Sequence, residues 1–346
     1  MKIASHDLDR KALLVAEIGV NHEGAFDKAR ELIALAASAG ADAVKFQAYY
    51  VRDLRFVSPS GDPDRFARMQ KNELTWEQFH VLADDAKQAG VMFLCTCFDA
   101  ETVKALDDVL PAFKIASGDL TDDDLLRAVA ATGKPVVLST GMGTDAEVAH
   151  ALDVLADGKS IASLRDRVVL LQCTSSYPCP PEQVNLRAMT HMAKTYGVRV
   201  GYSDHTLDLL ASQAAIAMGA CVIEKHFTDA KEGRAFRDHA LSAEAADLAE
   251  LVRTTRLIET MMGKEAKETQ PAEEAARGPM RRSLAVKRDV PAGATLTDDL
   301  LIALRPSHGW PVKDRAALVG RRLAQPLAAG DLVTPEHLTP GQGPRG

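Results

Sequence analysis

Short apolar runs alternate with longer amphipathic segments from the start of the chain to about residue 262. Each run ends in polar residues, and a segment long enough for a helix follows it. Because bounded apolar runs of this length are typical of buried strands, the alternation predicts parallel βαβ units. The eight runs are Leu13–Val20, Ala43–Ala48, Val91–Phe98, Ala112–Ser117, Pro135–Thr140, Val168–Ser175, Arg199–His205 and Cys221–Thr228.

Eight such units in about 260 residues favour a closed α/β (β/α)8 TIM barrel over an open, doubly wound sheet. The glycine-rich dinucleotide fingerprint is also absent after the first run, where the sequence is E-I-G-V-N-H-E-G. Thr75 is the predicted N-cap of one barrel helix, and Ser242 is the predicted N-cap of the last one. An unusually long second loop, at 49–71, is predicted to cover the active site.

The composition changes after Gly263. Residues 264–281 are charged and poor in large apolar side chains, which predicts a linker or a surface helix. Residues 282–340 repeat the pattern A-G-x-x-[LV]-T and predict a small, mainly β domain that docks on the barrel or on a partner chain. We therefore expect a barrel at 1–263, a linker at 264–281, a small domain at 282–340 and a disordered tail at 341–346.

Bulk properties exclude several classes of partner. The net charge of −7 argues against nucleic acid or an anionic membrane surface. No apolar run approaches the ~20 residues that a membrane-spanning helix needs, and the first residues lack a secretory signal pattern. An odd number of cysteines without a C-x-x-C pair argues against a disulfide framework or structural zinc, so we expect a reduced, cytoplasmic protein. The cysteines are Cys95, Cys97, Cys173, Cys179 and Cys221.

In a barrel of this class, catalytic groups lie where the strands end, at the C-terminal face. Many of those positions are polar here, and residues two apart on one strand point the same way. A strand interior rarely contains so many polar groups unless they line a site. These strand-end residues are Glu17, Lys45, Gln47, Thr96, Lys114, Ser117, Ser139, Gln172, Ser175, Ser203, His205, Glu224 and His226.

The types of these residues indicate two kinds of chemistry. His205 and His226 end neighbouring strands, so they are candidates to share one divalent cation; the alternative is two histidines satisfied by ordinary hydrogen bonds. Lys45 and Lys114 are candidates to hold a phosphate or a carboxylate. A Schiff base with a carbonyl substrate and a lysine that reaches the rim are the alternatives for either lysine.

Seven motifs stand in barrel order and resemble the N-acetylneuraminate (sialic acid) synthase family, which includes legionaminate and pseudaminate synthases. The C-terminal module resembles the antifreeze-like SAF domain of that family. The resemblance covers nearly the whole chain. The motifs are A-E-I-G-V-N-H at 16–22, G-A-D-A-V-K-F-Q at 40–47, K-I-A-S-G-D at 114–119, L-S-T-G-M at 138–142, Q-C-T-S-S-Y-P at 172–178, G-Y-S-D-H at 201–205 and E-K-H-F-T at 224–228.

The resemblance implies a role for each matching residue. His205 and His226 match metal ligands, with Mn²⁺ the expected ion and Mg²⁺ or Co²⁺ the alternatives, and Glu17 and Asp238 match catalytic positions. Positions that bind phosphoenolpyruvate match Lys45, Thr96, Lys114, Ser117, Ser139 and Ser203. Positions around the sugar match Gln47, Asp119, Tyr177, Asp238 and Arg305.

The implied reaction condenses phosphoenolpyruvate with an N-acetylated amino-sugar aldehyde and releases phosphate. N-acetylmannosamine is the acceptor expected first. A 6-deoxy diacetamido hexose is the alternative acceptor, and a Schiff-base pyruvate aldolase or a catalytically inactive sugar binder are more distant alternatives. Arg305 of one subunit would enter the partner's site, which implies a domain-swapped homodimer. Two departures fall where the sugar should lie: Asp119 stands where the family often has Glu, and A-F-R-D-H at 235–239 replaces the common G-P-D-H.

Overall fold

The computed structural model describes residues 1–48, 70–234 and 236–340. The predicted second loop at 49–71 lies almost entirely outside these residues, as does the predicted tail at 341–346. The described part of the chain forms two compact units, Met1–Gly263 and Lys264–Gly346. None of its helices is long and apolar enough to cross a membrane.

The first unit is a closed barrel of eight parallel strands, which confirms the predicted fold class. Each predicted apolar run contains one of the strands, and the last strand pairs with the first to close the barrel. A short antiparallel hairpin, β1 (Lys2–Ile3) and β2 (His6–Asp7), precedes them. The barrel strands are β3 (Leu13–Gly19), β4 (Ala43–Ala48), β5 (Met92–Cys97), β6 (Phe113–Ile115), β7 (Val136–Ser139), β8 (Val168–Gln172), β9 (Arg199–Asp204) and β10 (Val222–His226).

Helices with one buried apolar face surround the strands. Thr75 caps its helix in a full capping box with Gln78, as predicted. The prediction for Ser242 is wrong, because the last barrel helix begins at Ala245 and Glu244 caps it together with Asp247. The helices whose bounds lie in the described residues of this unit are α1 (Phe26–Ser38), α2 (Trp76–Gln88), α3 (Ala100–Leu106), α4 (Asp123–Ala131), α5 (Asp145–Ala156), α6 (Arg187–Tyr196), α7 (Leu210–Ala217) and α8 (Ala245–Met262).

The barrel interior divides into an apolar half and a polar half. Inward side chains in the N-terminal half, among them Leu13, Leu94 and Leu171, form one buried cluster with Met1 and Ile3 of the leading segment. Strand alternation then carries the same inward faces into the polar residues at the C-terminal ends. The apolar cluster fills the N-terminal half of the barrel, and the polar half lies at the C-terminal face.

The second unit has its own small core, which includes Leu284, Leu296 and Leu323. Two strands pair antiparallel, and the segment predicted to be a linker or surface helix contains a helix. In each copy of the repeated sequence pattern a glycine with positive φ makes the turn, Gly293 at +79° and Gly330 at +92°. The elements are α9 (Pro271–Met280), β11 (Ser283–Val286), β12 (Leu301–Leu304) and α10 (Arg315–Leu318).

Candidate active site

A cavity of about 210 Å³ opens at the C-terminal ends of the barrel strands. Six of its lining residues are ones to which the sequence assigned no role: Ala116, Gly118, Met142, Cys173, Ser175 and Glu224. Most of the residues predicted for the site meet here, although their spacing along the chain is large. These are Glu17, Lys45, Gln47, Thr96, Lys114, Ser117, Ser139, Tyr177, Ser203, His205 and His226.

Glu17 and Lys45 form a buried ion pair on the floor of the cavity. Lys45 Nζ lies 2.7 Å from Glu17 Oε2 and donates a hydrogen bond to Thr96 Oγ1 at 3.0 Å. Gln47 Nε2 donates to Glu17 Oε1 at 2.7 Å. Burial raises the pKa of Glu17, Glu224 adds to this effect and Lys45 opposes it. Glu17 is therefore suited to hold and release a proton near neutral pH.

Gly19 makes room for the Glu17–Gln47 hydrogen bond. The pairing of β3 with β4 shifts register between Glu17 and Gly19, and Gly19 has a φ of +56°. A Cβ on Gly19 would lie 3.1 Å from Glu17 Oε1 and 3.3 Å from Gln47 Nε2. A larger residue would meet both strain and crowding, so this irregularity in β3 serves the orientation of Glu17.

Lys114 lies among hydroxyl groups on another wall of the cavity. Its Nζ donates to Ser139 Oγ at 2.7 Å and to the carbonyl of Ile115 at 2.9 Å. Burial lowers the pKa of Lys114, and the nearby Glu224 opposes the shift. Among the residues that the structure describes, no carboxylate lies within 4.0 Å of this ammonium group. An incoming anion would therefore find a buried cation without a close counter-charge.

The turn after β7 completes this wall. The Gly141 amide donates to Ser117 Oγ at 3.0 Å, and Ser117 Oγ lies 3.1 Å from Cys173 Sγ. A Cβ on Gly141 would lie 2.5 Å from Ser175 Oγ and 2.8 Å from Ser117 Oγ. The turn can approach the serine hydroxyls this closely only because residue 141 is glycine.

His205 and His226 lie side by side, with ring centroids 5.5 Å apart. The Tyr177 ring centroid is 4.1 Å from that of His205. His205 Nδ1 is 2.8 Å from the carbonyl of Thr174, which makes Nδ1 the donor and leaves Nε2 as an acceptor. His226 Nδ1 is buried and has no hydrogen-bond partner. Burial lowers the pKa of both histidines, which favours the neutral form of each ring.

Neutral imidazoles are the form that binds metal ions, and these two are the side chains best placed to hold one. Across the described parts of the chain, no group of three or more His, Cys, Asp or Glu side chains has the arrangement of a metal site. The protein would thus supply two nitrogen ligands at this position. Water and substrate oxygens would have to fill the remaining positions around a cation.

Glu224 is a site residue that the sequence reasoning placed at a strand end but gave no role. Its Oε1 accepts a hydrogen bond from Ser203 Oγ at 3.0 Å, and its Oε2 lies 3.7 Å from Lys45 Nζ. Burial would raise the pKa of Glu224, but the charges of Lys114 and Lys45 outweigh burial and lower it. The signal for this residue was available, because Glu224 stands two residues before His226 and faces the same way.

Asp119, Asp238 and Arg305 are not among the residues that line the cavity. Asp119 ends a short turn after β6, and its buried Oδ2 has no hydrogen-bond partner. Asp238 Oδ1 binds Arg237 Nε at 3.0 Å, and the Arg237 guanidinium lies 4.5 Å from the centroid of the Tyr177 ring. Arg305, in the second unit, donates from Nε to the carbonyl of Met280. Their contacts with a sugar stay predictions.

The barrel and its cavity of lysines, glutamates and histidines define a (β/α)8-barrel enzyme. The chain belongs to the NeuB family, since the model described as "NeuB family" matches residues 32–267. The model described as "SAF domain" matches residues 281–339. Both matches confirm the family and the C-terminal domain expected from the motifs.

Relatives with assigned functions agree with this membership. N,N′-diacetyllegionaminic acid synthase of Legionella pneumophila is 36% identical over 336 residues, which is 94% of each chain. N-acetylneuraminate-9-phosphate synthase of Mus musculus is 32% identical and covers 94% of this chain and 92% of the relative. The solved N-acetylneuraminic acid synthetase of Leptospira borgpetersenii is 31% identical, with a TM-score of 0.70 over 77% of this chain and 90% of that one. The chain is therefore similar to biosynthetic enzymes that make nonulosonic acids.

Proposed function

We propose that this protein is a nonulosonic acid synthase that condenses phosphoenolpyruvate with an N-acetylated amino-sugar aldehyde and releases phosphate. The observation that carries the proposal is the pairing, in one cavity of a NeuB-family barrel, of two buried lysines with two adjacent histidines. The lysines suit the anionic donor, and the histidines suit a cation beside the acceptor.

Lys114 and Lys45 would hold the phosphate and the carboxylate of phosphoenolpyruvate. Lys114 has the hydroxyls of Ser139 and Ser117 near it, and Lys45 has that of Thr96. Hydroxyl groups can turn to donate to any oxygen that the lysines leave unbound. Fixing both anionic ends of the donor orients its C3 atom for attack and offsets the charge that burial would otherwise penalise.

The proposed reaction forms a C–C bond to the aldehyde and a C–O bond from C2 to water, and it breaks the C–O bond between C2 and phosphate. The C3 atom of the enol phosphate attacks the aldehyde carbon, and the aldehyde oxygen takes up a proton. Water adds to the cationic C2 and loses a proton to give a tetrahedral intermediate. This intermediate expels phosphate by C–O cleavage, as the new C2 hydroxyl loses its proton and becomes the keto oxygen. Glu17, with its raised pKa, is the group proposed to move a proton at the aldehyde oxygen or at the attacking water.

A divalent cation at His205 and His226 is part of the proposal, with Mn²⁺ preferred and Mg²⁺ or Co²⁺ as alternatives. The position of the two rings side by side, the orientation of His205 by the Thr174 carbonyl and the lowered pKa of both histidines support it. Bound there, the cation would act as a Lewis acid on the aldehyde oxygen.

The acceptor proposed first is N-acetylmannosamine, and a 6-deoxy diacetamido hexose is the alternative. The named relatives make different nonulosonic acids, so family membership alone does not choose between the two. Gln47 and Tyr177 line the cavity where such a sugar would lie, and Arg237 lies over the Tyr177 ring. A homodimer in which Arg305 of one subunit serves the partner's site is also proposed.

The proposal is tested by measuring phosphate release from phosphoenolpyruvate with a panel of N-acetylated hexosamines. We expect release with at least one aldehyde, loss of turnover in EDTA and recovery on adding Mn²⁺. Lys114→Met should abolish turnover, because it removes the buried cation that would neutralise the anionic group of phosphoenolpyruvate.

A second candidate reaction keeps one observation in its favour, the lowered pKa of Lys114, which suits a Schiff base with pyruvate. Borohydride provides the control. Irreversible inactivation in the presence of pyruvate, without phosphate release from phosphoenolpyruvate, would replace the proposal with this aldolase.

A further inference from the structure

A second buried ion pair lies directly behind the two histidines of the cavity. Along β9 and its end, Ser203 and His205 face the cavity, and along β10 Glu224 and His226 do so. The residues between them, Asp204 and Lys225, point to the opposite face of the strands. Asp204 is 0% exposed and Lys225 is 2% exposed, and Lys225 Nζ lies 3.5 Å from Asp204 Oδ2.

Each charged group of this pair also binds the chain that follows β9. Asp204 Oδ1 accepts hydrogen bonds from the amide of Thr206 at 2.8 Å and from its hydroxyl at 2.7 Å. Asp204 Oδ2 accepts from Ser212 Oγ, in α7, at 2.6 Å. Lys225 Nζ donates to the carbonyls of Thr206 and Asp208. The pair therefore ties the loop after β9 to strand β10 on one side and to helix α7 on the other.

Stability alone is a weak reason for such a pair. Burying two charges costs several kcal/mol per ion, and apolar side chains of similar volume often serve stability as well or better. Apolar side chains, however, cannot form hydrogen bonds with the carbonyls of Thr206 and Asp208 or with the Thr206 amide. These contacts fix the backbone on both sides of His205. Lys225 directly precedes His226, so the same contacts hold strand β10 next to that histidine.

We propose that Asp204 and Lys225 are positioning residues that hold His205 and His226 in the orientation in which the two imidazoles bind one divalent cation. The inference rests on the metal site of the proposed function. It assigns these residues no contact with substrate or cation. Their effect passes through the backbone that carries the two rings, much as groups behind metal ligands orient those ligands elsewhere.

Mn²⁺ binding to purified protein, measured from the free-ion electron paramagnetic resonance signal without substrate, tests the inference. We expect Lys225→Met and Asp204→Asn each to weaken Mn²⁺ binding by about 10- to 100-fold. The double variant Asp204→Leu/Lys225→Met removes both charges and leaves no unpaired ion, so it should melt at a higher temperature than either single variant. It should nevertheless bind Mn²⁺ as weakly as the single variants.

Arg256→Met is the matched control, because Arg256 also pairs with a mostly buried aspartate and binds backbone, but at the N-terminal end of the barrel. Its guanidinium binds Asp42 and the carbonyl of Ala12. We expect a lower melting temperature and wild-type Mn²⁺ affinity. Wild-type affinity in a folded Lys225→Met or double variant overturns the positioning role alone. A wild-type protein that does not bind Mn²⁺ overturns the metal site and this inference together.

Discussion

Glu17 and Glu224 lie on neighbouring strands of one cavity, yet their surroundings shift their pKa values in opposite directions. Burial dominates at Glu17 and raises its pKa, whereas Lys114 and Lys45 outweigh burial at Glu224 and lower its pKa. Two carboxyl groups with pKa values driven apart are typical of a site that divides proton transfer from charge stabilisation. Glu17 is the member of this pair that can exchange a proton, and Glu224 stays charged beside the lysines.

Asp119 gives a prediction on stability. Burial, with help from Asp122, raises its pKa to about 6, against about 3.9 in an unfolded chain. The folded state thus favours the protonated form, and this contribution to stability is lost as the pH rises through about 6. Asp119→Asn stays neutral, so it should be more stable than the wild type at pH 8, by on the order of 1 kcal/mol, with a smaller gain at pH 5.

Thermal melting at both pH values measures this difference. Asp124→Asn, which removes an exposed carboxylate in the next helix, is the control and should show no gain that depends on pH. An Asp119→Asn protein with the same melting temperature as the wild type at pH 8 would show that the carboxylate carries no burial penalty.

At this scale, the sequence predicted best the residues that lie on strands. Lys45, Thr96 and His226 were identified because the barrel rule and strand parity fix where a strand-end side chain points. Asp119 and Asp238 lie in short helical turns instead, and turn geometry leaves no periodic signal in the sequence. Glu224 satisfies the same parity rule as His226, so the sequence predicted its position but not its role.

The positions of the strands and helices were predicted more completely than the residues at which they begin and end. All eight barrel strands fall within the predicted apolar runs, because buried parallel strands are continuous apolar segments. Ser242 was chosen as a helix cap for its residue type, but its hydroxyl binds the carbonyl of Asp238 and accepts from Asn21 instead. The Ser242 hydroxyl therefore takes part in a tertiary contact with Asn21 and not in a helix cap. The sequence around Ser242 does not reveal this contact.

The turn between β7 and α5 should tolerate no side chain at Gly141. A Cβ there would meet Ser175 Oγ at 2.5 Å and Ser117 Oγ at 2.8 Å. We expect Gly141→Ala to cost about 1–3 kcal/mol in the free energy of unfolding and to raise the KM for phosphoenolpyruvate, because the serine hydroxyls must move. Chemical denaturation and steady-state kinetics measure the two effects.

Gly118→Ala separates crowding from the loss of a glycine. Gly118 also lines the cavity, but a Cβ there would meet nothing within 4 Å. Its free energy of unfolding should stay close to that of the wild type. Equal destabilisation by both substitutions would contradict the steric explanation for Gly141.

At the scale of the whole molecule, the sequence predicts structure within one chain better than contacts between subunits. The repeat in the second unit predicted its turns, and Thr297 and Thr334 precede short helical turns in both copies. Pairing between subunits leaves no such trace, since a residue that serves a partner's site shares no strand or register with it. The role proposed for Arg305 therefore rests on resemblance and needs a test on the whole assembly.

Mixed dimers provide that test. If Arg305 acts in the partner's site, a Glu17→Gln subunit paired with an Arg305→Ala subunit contains one intact site of two. We expect such dimers, isolated with two different tags, to regain about half of the wild-type phosphate release per dimer. Each homodimeric variant alone is the control and should be nearly inactive. Verified mixed dimers without recovery would place Arg305 in its own subunit's site or in none.

The alternation along β9 and β10 also has a use in protein engineering. Because inward side chains at these strand ends line the cavity and outward ones anchor a loop, the stretches 203–206 and 224–226 are poor choices for randomisation. Phe236 and Arg237 are better ones, since Arg237 lies 4.5 Å from the Tyr177 ring and its side chain is 64% exposed. A codon library at these two positions would vary the surroundings of an acceptor. The lysines and hydroxyl groups proposed to bind phosphoenolpyruvate would stay unchanged.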